Sequence, residues 1–120
     1  MSAKIILSLS AALALCAGTA LAHPHVVSAT PAQDAQVSPA PKIVRIKFNE
    51  APTAAFSAIE VKDAAGKPIK TGKAAIDKTD KTILTAAINQ PLAPGVYKVA
   101  WKAAGSDTHK VDGTYSFTVK

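Results

Sequence analysis

Apolar and polar residues alternate with a period of two in several stretches of the chain, and this pattern limits the fold more than any other feature. In one stretch, Val44, Ile46 and Phe48 alternate with Arg45 and Lys47. Because successive side chains of a strand point to opposite faces, such stretches predict strands with one buried face. The alternation occurs in residues 43–48, 58–63, 96–102 and 114–120. Weaker strands are predicted over residues 26–29, 69–75 and 82–87.

Turn-forming residues separate these stretches, and no long amphipathic helix is present. The turns are predicted at Ser38-Pro39-Ala40-Pro41, Ala65-Gly66-Lys67-Pro68, Pro94-Gly95 and Asp112-Gly113. About seven short strands with one apolar face each predict an all-β domain, either a two-sheet antiparallel sandwich or a Greek-key β-barrel. Residues 51–55 are predicted to form a turn of helix or a loop.

The N-terminus has the composition of a secretory signal peptide. Lys4 supplies a positive charge, residues 5–15 are apolar, and Ala20-Leu21-Ala22 has the small-x-small pattern of a cleavage site. A membrane-spanning helix needs about 20 apolar residues, so this run is too short to span. A lipoprotein cut before Cys16 is the alternative, but a lipobox has a small residue where this chain has Leu15. The sequence therefore predicts export and no membrane insertion of the mature chain.

Cleavage after Ala22 would divide the chain into a signal peptide, residues 1–22, and one domain, residues 23–120. Met1 and Cys16 are the only sulfur-containing residues, and both would leave with the signal peptide. Exported compartments permit disulfides, yet this domain has no cysteine with which to form them. Its stability must therefore come from a single hydrophobic core.

The basic character of the chain, a formal net charge of +6, predicts a solvated surface rather than a nucleic-acid site. Its lysines lie on several strand faces and in turns, whereas nucleic-acid binding favours clustered basic residues beside exposed aromatic ones. No serine or cysteine nucleophile motif and no glycine-rich phosphate loop is present, which argues against an enzyme. A monomer is the expected state for so short a chain.

The histidines carry the strongest indication of chemistry. After cleavage His23 would offer a free amine and an imidazole, and Asp107 and His109 would point to one side of an extended chain. Amine, imidazole and carboxylate groups suit copper(II), which favours tetragonal nitrogen and oxygen ligands, and zinc would bind such a set more weakly. An α-amino group has a pKa of about 7.7–8.0, so copper can displace its proton near neutral pH. His23, Asp107 and His109 are therefore the candidate metal ligands.

Pro24 and His25 follow the predicted ligand His23, and Glu50 follows the predicted strand at residues 43–48. A copper motif built from the amine and the next two backbone amides is blocked, because Pro24 has no N–H. His25 is predicted to face solvent at the head of the first strand, with a role as auxiliary ligand as the alternative. Glu50 is predicted to make a turn or surface contact.

Several spaced motifs of the mature chain resemble the CopC/PcoC copper-resistance family. They are His-Pro-x-Val-Val-Ser-Ala-Thr-Pro-Ala at residues 23–32, Ala40-Pro41-Lys42-Ile43 leading to Phe48-Asn49-Glu50, Leu-Ala-Pro-Gly-Val-Tyr-Lys-Val-Ala-Trp at residues 92–101, and Gly-Ser-Asp-Thr-His-Lys-Val-Asp-Gly at residues 105–113. The resemblance implies a cupredoxin-like Greek-key β-barrel in the periplasm. It also implies copper(II) bound by the amine and imidazole of His23, by His109 and, more weakly, by Asp107. The methionine-rich copper(I) loop of better-known members is missing, because residues 63–81 contain no methionine or histidine.

The sequence thus predicts a periplasmic copper(II) carrier or buffer with one Cu(2+) per chain and an inner-membrane copper transport partner. The first alternative is a small oxidative enzyme with a copper brace like that of polysaccharide monooxygenases. Those domains are larger, and an axial carboxylate would tend to occupy the position that oxygen needs. The second alternative is a metal-free adhesion or assembly sandwich.

Overall fold

Eight β-strands form two sheets in the computed structural model, which describes residues 24–106 and 109–120. The strands are β1 Val26–Thr30, β2 Gln36–Val37, β3 Ile43–Phe48, β4 Ala58–Asp63, β5 Ala75–Ile76, β6 Ile83–Ala87, β7 Gly95–Ala104 and β8 Lys110–Val119, with a 3-10 helix at Ala54–Phe56. One sheet has the strand order β1-β3-β6-β5 and the other has the order β2-β8-β7-β4. The described residues include no helix with the length and apolar character needed to cross a membrane. The predicted signal peptide lies outside the described residues.

The predicted all-β sandwich is confirmed, and the two sheets stay separate rather than closing into one barrel. Neighbouring strands in the described residues are antiparallel, except that β2 runs parallel to β8. The strand β2 was not predicted, because two residues are too few to show a periodicity.

The alternation seen in the sequence becomes the core between the sheets. On β3, Val44, Ile46 and Phe48 are at most 1% exposed. The other strands add inward residues to the same cluster, among them Ile59, Val61, Leu84, Tyr97, Val99, Tyr115, Phe117 and Val119. Each fully buried side chain of this kind contributes about 1.5–3 kcal/mol. Strands β3 and β4 have the boundaries that the pattern predicted.

The outward face of β3 is neutralised by the turn between β5 and β6. Arg45 lies 3.0 Å from the Asp77 carboxylate, and Lys47 lies 2.6 Å from that of Asp80. Hydrogen bonds from Thr79 hold the pKa of Asp77 below its usual value, and the Lys47 ammonium does the same for Asp80. These contacts support the interpretation of the basic strand residues as a solvated, structural surface.

The strand predicted over residues 69–75 is wrong for most of its length. The chain here makes only the isolated bridges Lys62–Pro68 and Thr71–Ile88, and regular pairing resumes at β5. Pro68 directly precedes the segment and Gly72 lies within it, and both residue types weaken strand pairing. Ile69 is nevertheless buried, so its apolar side chain still packs into the core.

The turn predicted at Asp112-Gly113 is also wrong, because β8 runs straight through both residues. Gly113 lies opposite Trp101 on β7, and a Cβ atom at Gly113 would come within 2.5–2.9 Å of three indole atoms. The indole in turn packs edge-on against Phe48, with ring centroids 5.2 Å apart and an interplanar angle of 70°. Gly113 therefore leaves room for the indole ring.

Gly113→Ala should lower the free energy of unfolding by about 1–3 kcal/mol, because the rigid indole must shift against Phe48. Urea unfolding measures the change. Thr114→Ala, at the neighbouring exposed position, is the control and should cost less than about 0.5 kcal/mol. Equal losses in the two variants would show that the indole contact does not set the need for glycine.

Tyr115 carries a buried hydroxyl that has no hydrogen-bond partner among the described residues. Its side chain is part of the core, and the residue is 8% exposed. Burial raises the pKa of Tyr115 from its ordinary value of 10.0 to about 12. The folded state therefore keeps the phenol proton at a pH at which the unfolded chain has begun to lose it.

Tyr115→Phe should be neutral or should stabilise the fold by up to about 1 kcal/mol, since it removes an unsatisfied polar group. The pH dependence follows from the raised pKa. The stability associated with the neutral phenol is complete below pH 10 and is lost as the pH rises towards 12. Thermal unfolding between these pH values should show a smaller loss for Tyr115→Phe than for the unsubstituted protein, and identical alkaline profiles would contradict this account.

Candidate metal centre

Three chain segments meet at one end of the sandwich: the segment before β1, the segment after β3 and the end of β7. They contribute Pro24, Glu50 and Gly105, respectively. Pro24 is among the fully buried side chains, with less than 2% of its surface exposed. A Cβ on Gly105 would lie 3.5 Å from the Pro24 ring and would collide with the Glu50 carboxylate. The missing side chain at position 105 is thus what allows the proline and the carboxylate to come together.

Hydrogen bonds tie these segments to the sheets. The His25 N–H donates to the Asn49 side-chain oxygen at 2.7 Å, and the Asn49 N–H donates to the His25 carbonyl at 3.0 Å. Beyond Glu50, the Thr53 N–H donates to the Ala104 carbonyl at 2.8 Å. The segment after β3 is therefore bonded on one side to the start of the described chain and on the other to the end of β7.

Of the three predicted ligands, the structure places His109 at this same end. Ala104 and Lys110 are paired residues of β7 and β8, so Gly105 and His109 are the next residues along the two strands. His109 is exposed. His23 and Asp107 lie outside the described residues, so the predicted ligand set as a whole remains a prediction. Within residues 24–106 and 109–120, no group of three or more His, Cys, Asp and Glu side chains is close enough to hold a metal ion.

Pro24 is the first described residue of the segment before β1, and it is buried at this end of the sandwich. Pro24 is directly bonded to residue 23, and consecutive Cα atoms are at most about 3.8 Å apart. His25 is exposed, as predicted. Among the described residues, buried Pro24 therefore lies beside Glu50 and Gly105, and exposed His25 follows it.

The contact that Glu50 makes at this end of the sandwich was not predicted from the sequence. The prediction was a turn or surface contact, whereas the structure places its half-buried carboxylate against Gly105 and near Pro24. The relation between Glu50 and Gly105 spans more than fifty residues of sequence, so no local pattern reveals it. A carboxylate here adds an oxygen donor to the nitrogen donors predicted for the N-terminus and His109.

The fold and these donors define a class, namely a small β-sandwich with a candidate metal centre at one end. Residues 26–120 match the CopC domain, and the chain belongs to that family. The family resemblance seen in the sequence motifs is thus confirmed.

Solved structures and a longer relative support the assignment. CopC from Methylosinus trichosporium OB3b is 33% identical with a TM-score of 0.75, and the match covers 82% of this chain and 94% of that one. PcoC from Escherichia coli, a methionine-rich copper resistance protein, is 34% identical with a TM-score of 0.76 and is covered over its full length, against 82% of this chain. The copper transport protein CutJ of Bacillus subtilis is 32% identical over 101 residues, which are 84% of this chain but 19% of CutJ. This chain therefore matches less than a fifth of CutJ.

Gly105→Ala should displace the Glu50 carboxylate without unfolding the domain, because the side chain that must move is flexible and half-exposed. The φ angle of Gly105 is not in the left-handed region, so alanine adds no backbone strain. The side-chain NMR resonances of Glu50 should shift, while the melting temperature should change by no more than a few degrees, about the effect of a surface substitution. An unchanged Glu50 environment would contradict the contact.

Proposed function

We propose that this protein binds one copper(II) ion per chain and acts in the periplasm as a copper carrier or buffer for homeostasis or resistance. The single observation that carries the proposal is the convergence at one end of the sandwich. Buried Pro24, the Glu50 carboxylate and Gly105 lie together there, and His109 follows at the edge of the same hairpin. Family membership indicates copper as the ion, since relatives with the same domain are named for copper resistance and transport.

The proposed ligands are the amine and imidazole of His23, the imidazole of His109 and the carboxylate of Asp107. The support for them is that buried Pro24, which is directly bonded to residue 23, lies at the end of the sandwich that holds His109. The Glu50 carboxylate offers one more oxygen in the same place. Nitrogen and oxygen donors in this proportion suit copper(II), which binds such sites more strongly than the other divalent first-row metals.

The proposal assigns no copper(I) site to the domain. Copper(I) prefers thiolate and thioether ligands, and this chain has one methionine and one cysteine, Met1 and Cys16, both within the predicted signal peptide. PcoC, by contrast, is a methionine-rich protein. We therefore propose that the ion is held and released as copper(II), without a change of oxidation state within the protein.

An inner-membrane copper transport partner is part of the proposal. In CutJ the matching region is a small part of a much longer copper transport protein, so that relative joins this kind of domain to further chain. We propose that the present protein, acting as a monomer, delivers copper to a separate partner with the same role. The proposal makes it a binding protein rather than a copper-brace enzyme.

The deciding experiment compares mature protein beginning at His23 with protein that retains Ala22. Both forms are produced, their N-terminal residues are confirmed by intact mass, and copper(II) is titrated while the EPR spectrum is recorded. The His23 form should show a tetragonal one-to-one site with nitrogen couplings. Retaining Ala22 removes the amine of residue 23 as a ligand and should weaken binding by at least about tenfold, which corresponds to 1.4 kcal/mol.

Two histidine variants complete this test. His109→Ala should weaken copper binding to a similar degree. His25→Ala is the matched control, because His25 is exposed and lies two residues after His23, and it should change binding little. Equal affinity of the His23 and Ala22 forms would rule out the amine as a ligand. Copper-dependent oxidation of a polysaccharide with ascorbate or peroxide would instead favour the enzyme.

A further inference from the structure

Strand β1 contains an irregularity in its pairing with β3, at the N-terminal end of the strand. Val26 pairs with Phe48 and Ser28 pairs with Lys47, so two steps on β1 correspond to one step on β3. Val27 is the extra residue, and it is 57% exposed. This arrangement is a β-bulge, which shifts the register of everything on its N-terminal side by one residue.

The shift decides which residues before β1 face inward. Ala29, on the other side of the bulge, pairs with buried Ile46 and packs against the core. In a regular strand the inward positions would continue at residues 27 and 25, because side chains alternate. A slip of one residue reverses the faces, which agrees with the buried Pro24 and the exposed His25.

Asn49 holds the shifted segment in place. Its own N–H and its side-chain oxygen bond the carbonyl and the N–H of His25, at 3.0 Å and 2.7 Å. The side-chain amide therefore supplies the acceptor for the His25 N–H, just beyond the Val26–Phe48 pair. Both backbone polar groups of the residue after Pro24 are thus bound by one residue of the neighbouring strand.

Pro24 fixes the same segment by packing, in addition to the hydrogen bonds from Asn49. Its ring is buried against the position of Gly105, beside Glu50, and its φ angle is limited by the ring. Residue 23 is consequently attached to a segment that is fixed both by hydrogen bonds and by packing. A ligand held in its bound position before the ion arrives loses less conformational entropy on binding.

We infer that Asn49 is a positioning residue, which fixes the bulged segment at His25 and thereby presets the N-terminal amine for the metal. The inference rests on the proposed function, because it assumes that the amine of residue 23 is a ligand. Asn49 itself contacts the backbone of His25 and need not touch the ion. Asn49 should therefore slow the release of the metal and should keep the N-terminal segment ordered when no metal is bound.

The first test uses metal-free protein that begins at His23. Asn49→Ala removes the side-chain acceptor but keeps the backbone N–H. Amide hydrogen exchange at His25 should become about two- to fivefold faster, the effect of losing one modest hydrogen bond. NMR contacts between Pro24 and Gly105 should weaken as well. Asn49→Asp keeps an acceptor oxygen and should restore slow exchange, while Asn89→Ala, an exposed asparagine at the opposite end, is the matched control and should have no effect.

The second test measures copper(II) release from the same proteins by stopped-flow transfer to a chelator. Asn49→Ala should release copper about two- to fivefold faster, with the unsubstituted EPR spectrum at saturation, because no ligand has been removed. Its melting temperature should match that of Asn89→Ala, since only the local segment is loosened. Unchanged His25 exchange in Asn49→Ala, or equally fast exchange in Asn89→Ala, would overturn the inference.

The failures of the two proposals are distinguishable. If retaining Ala22 leaves copper binding unchanged, the amine is not a ligand, and the proposed function fails together with the ligand-presetting role of Asn49. If retaining Ala22 weakens binding while Asn49→Ala releases copper at the unsubstituted rate, the proposed function stands and this inference alone is wrong.

Discussion

The edge-to-face contact between Phe48 and Trp101 joins the two sheets close to the candidate metal centre. Phe48 is the last residue of β3 and is followed directly by Asn49 and Glu50, while Trp101 lies on β7 shortly before Gly105. The described residues contain no cysteine, so apolar packing rather than a disulfide holds these strands at a fixed separation. The positions of Asn49, of the Glu50 carboxylate and of buried Pro24 all depend on that separation.

The candidate site is assembled from segments just beyond the strand ends, and the strands supply its rigidity. Glu50 follows β3, Gly105 follows β7, and Pro24 precedes β1. Such positions suit metal binding because backbone at a strand end can leave the ladder and present side chains while the core stays intact. In the proposed function, a free N-terminal amine would add a ligand that no side chain in the middle of a chain can supply. Proteolytic processing and folding would therefore cooperate in forming one site.

The parts of the fold that could be predicted were those governed by local alternation. Strands β3 and β4 were predicted with their boundaries, because one face of each packs on the core along its whole length. Two predictions failed at segments that contain or adjoin a glycine or a proline, because these residues occur in turns, in irregular segments and in strands. Asp112-Gly113 was interpreted as a turn, although Gly113 is a strand residue that makes room for the Trp101 indole. Residues 69–75 have an apolar side chain in the core without the regular pairing of a strand.

The candidate site could likewise be predicted only in part from the sequence. The donor types were readable from composition, because the absence of sulfur from residues 23–120 leaves nitrogen and oxygen as ligands whatever the fold. The role of Glu50 was not readable, since its contact with Gly105 joins two distant segments. Residue types and their local spacing were enough to predict an all-β fold and to limit the available metal ligands to nitrogen and oxygen donors. The burial of Pro24 could not be predicted in this way, because the bulge that shifts its register is defined by long-range pairing between β1 and β3.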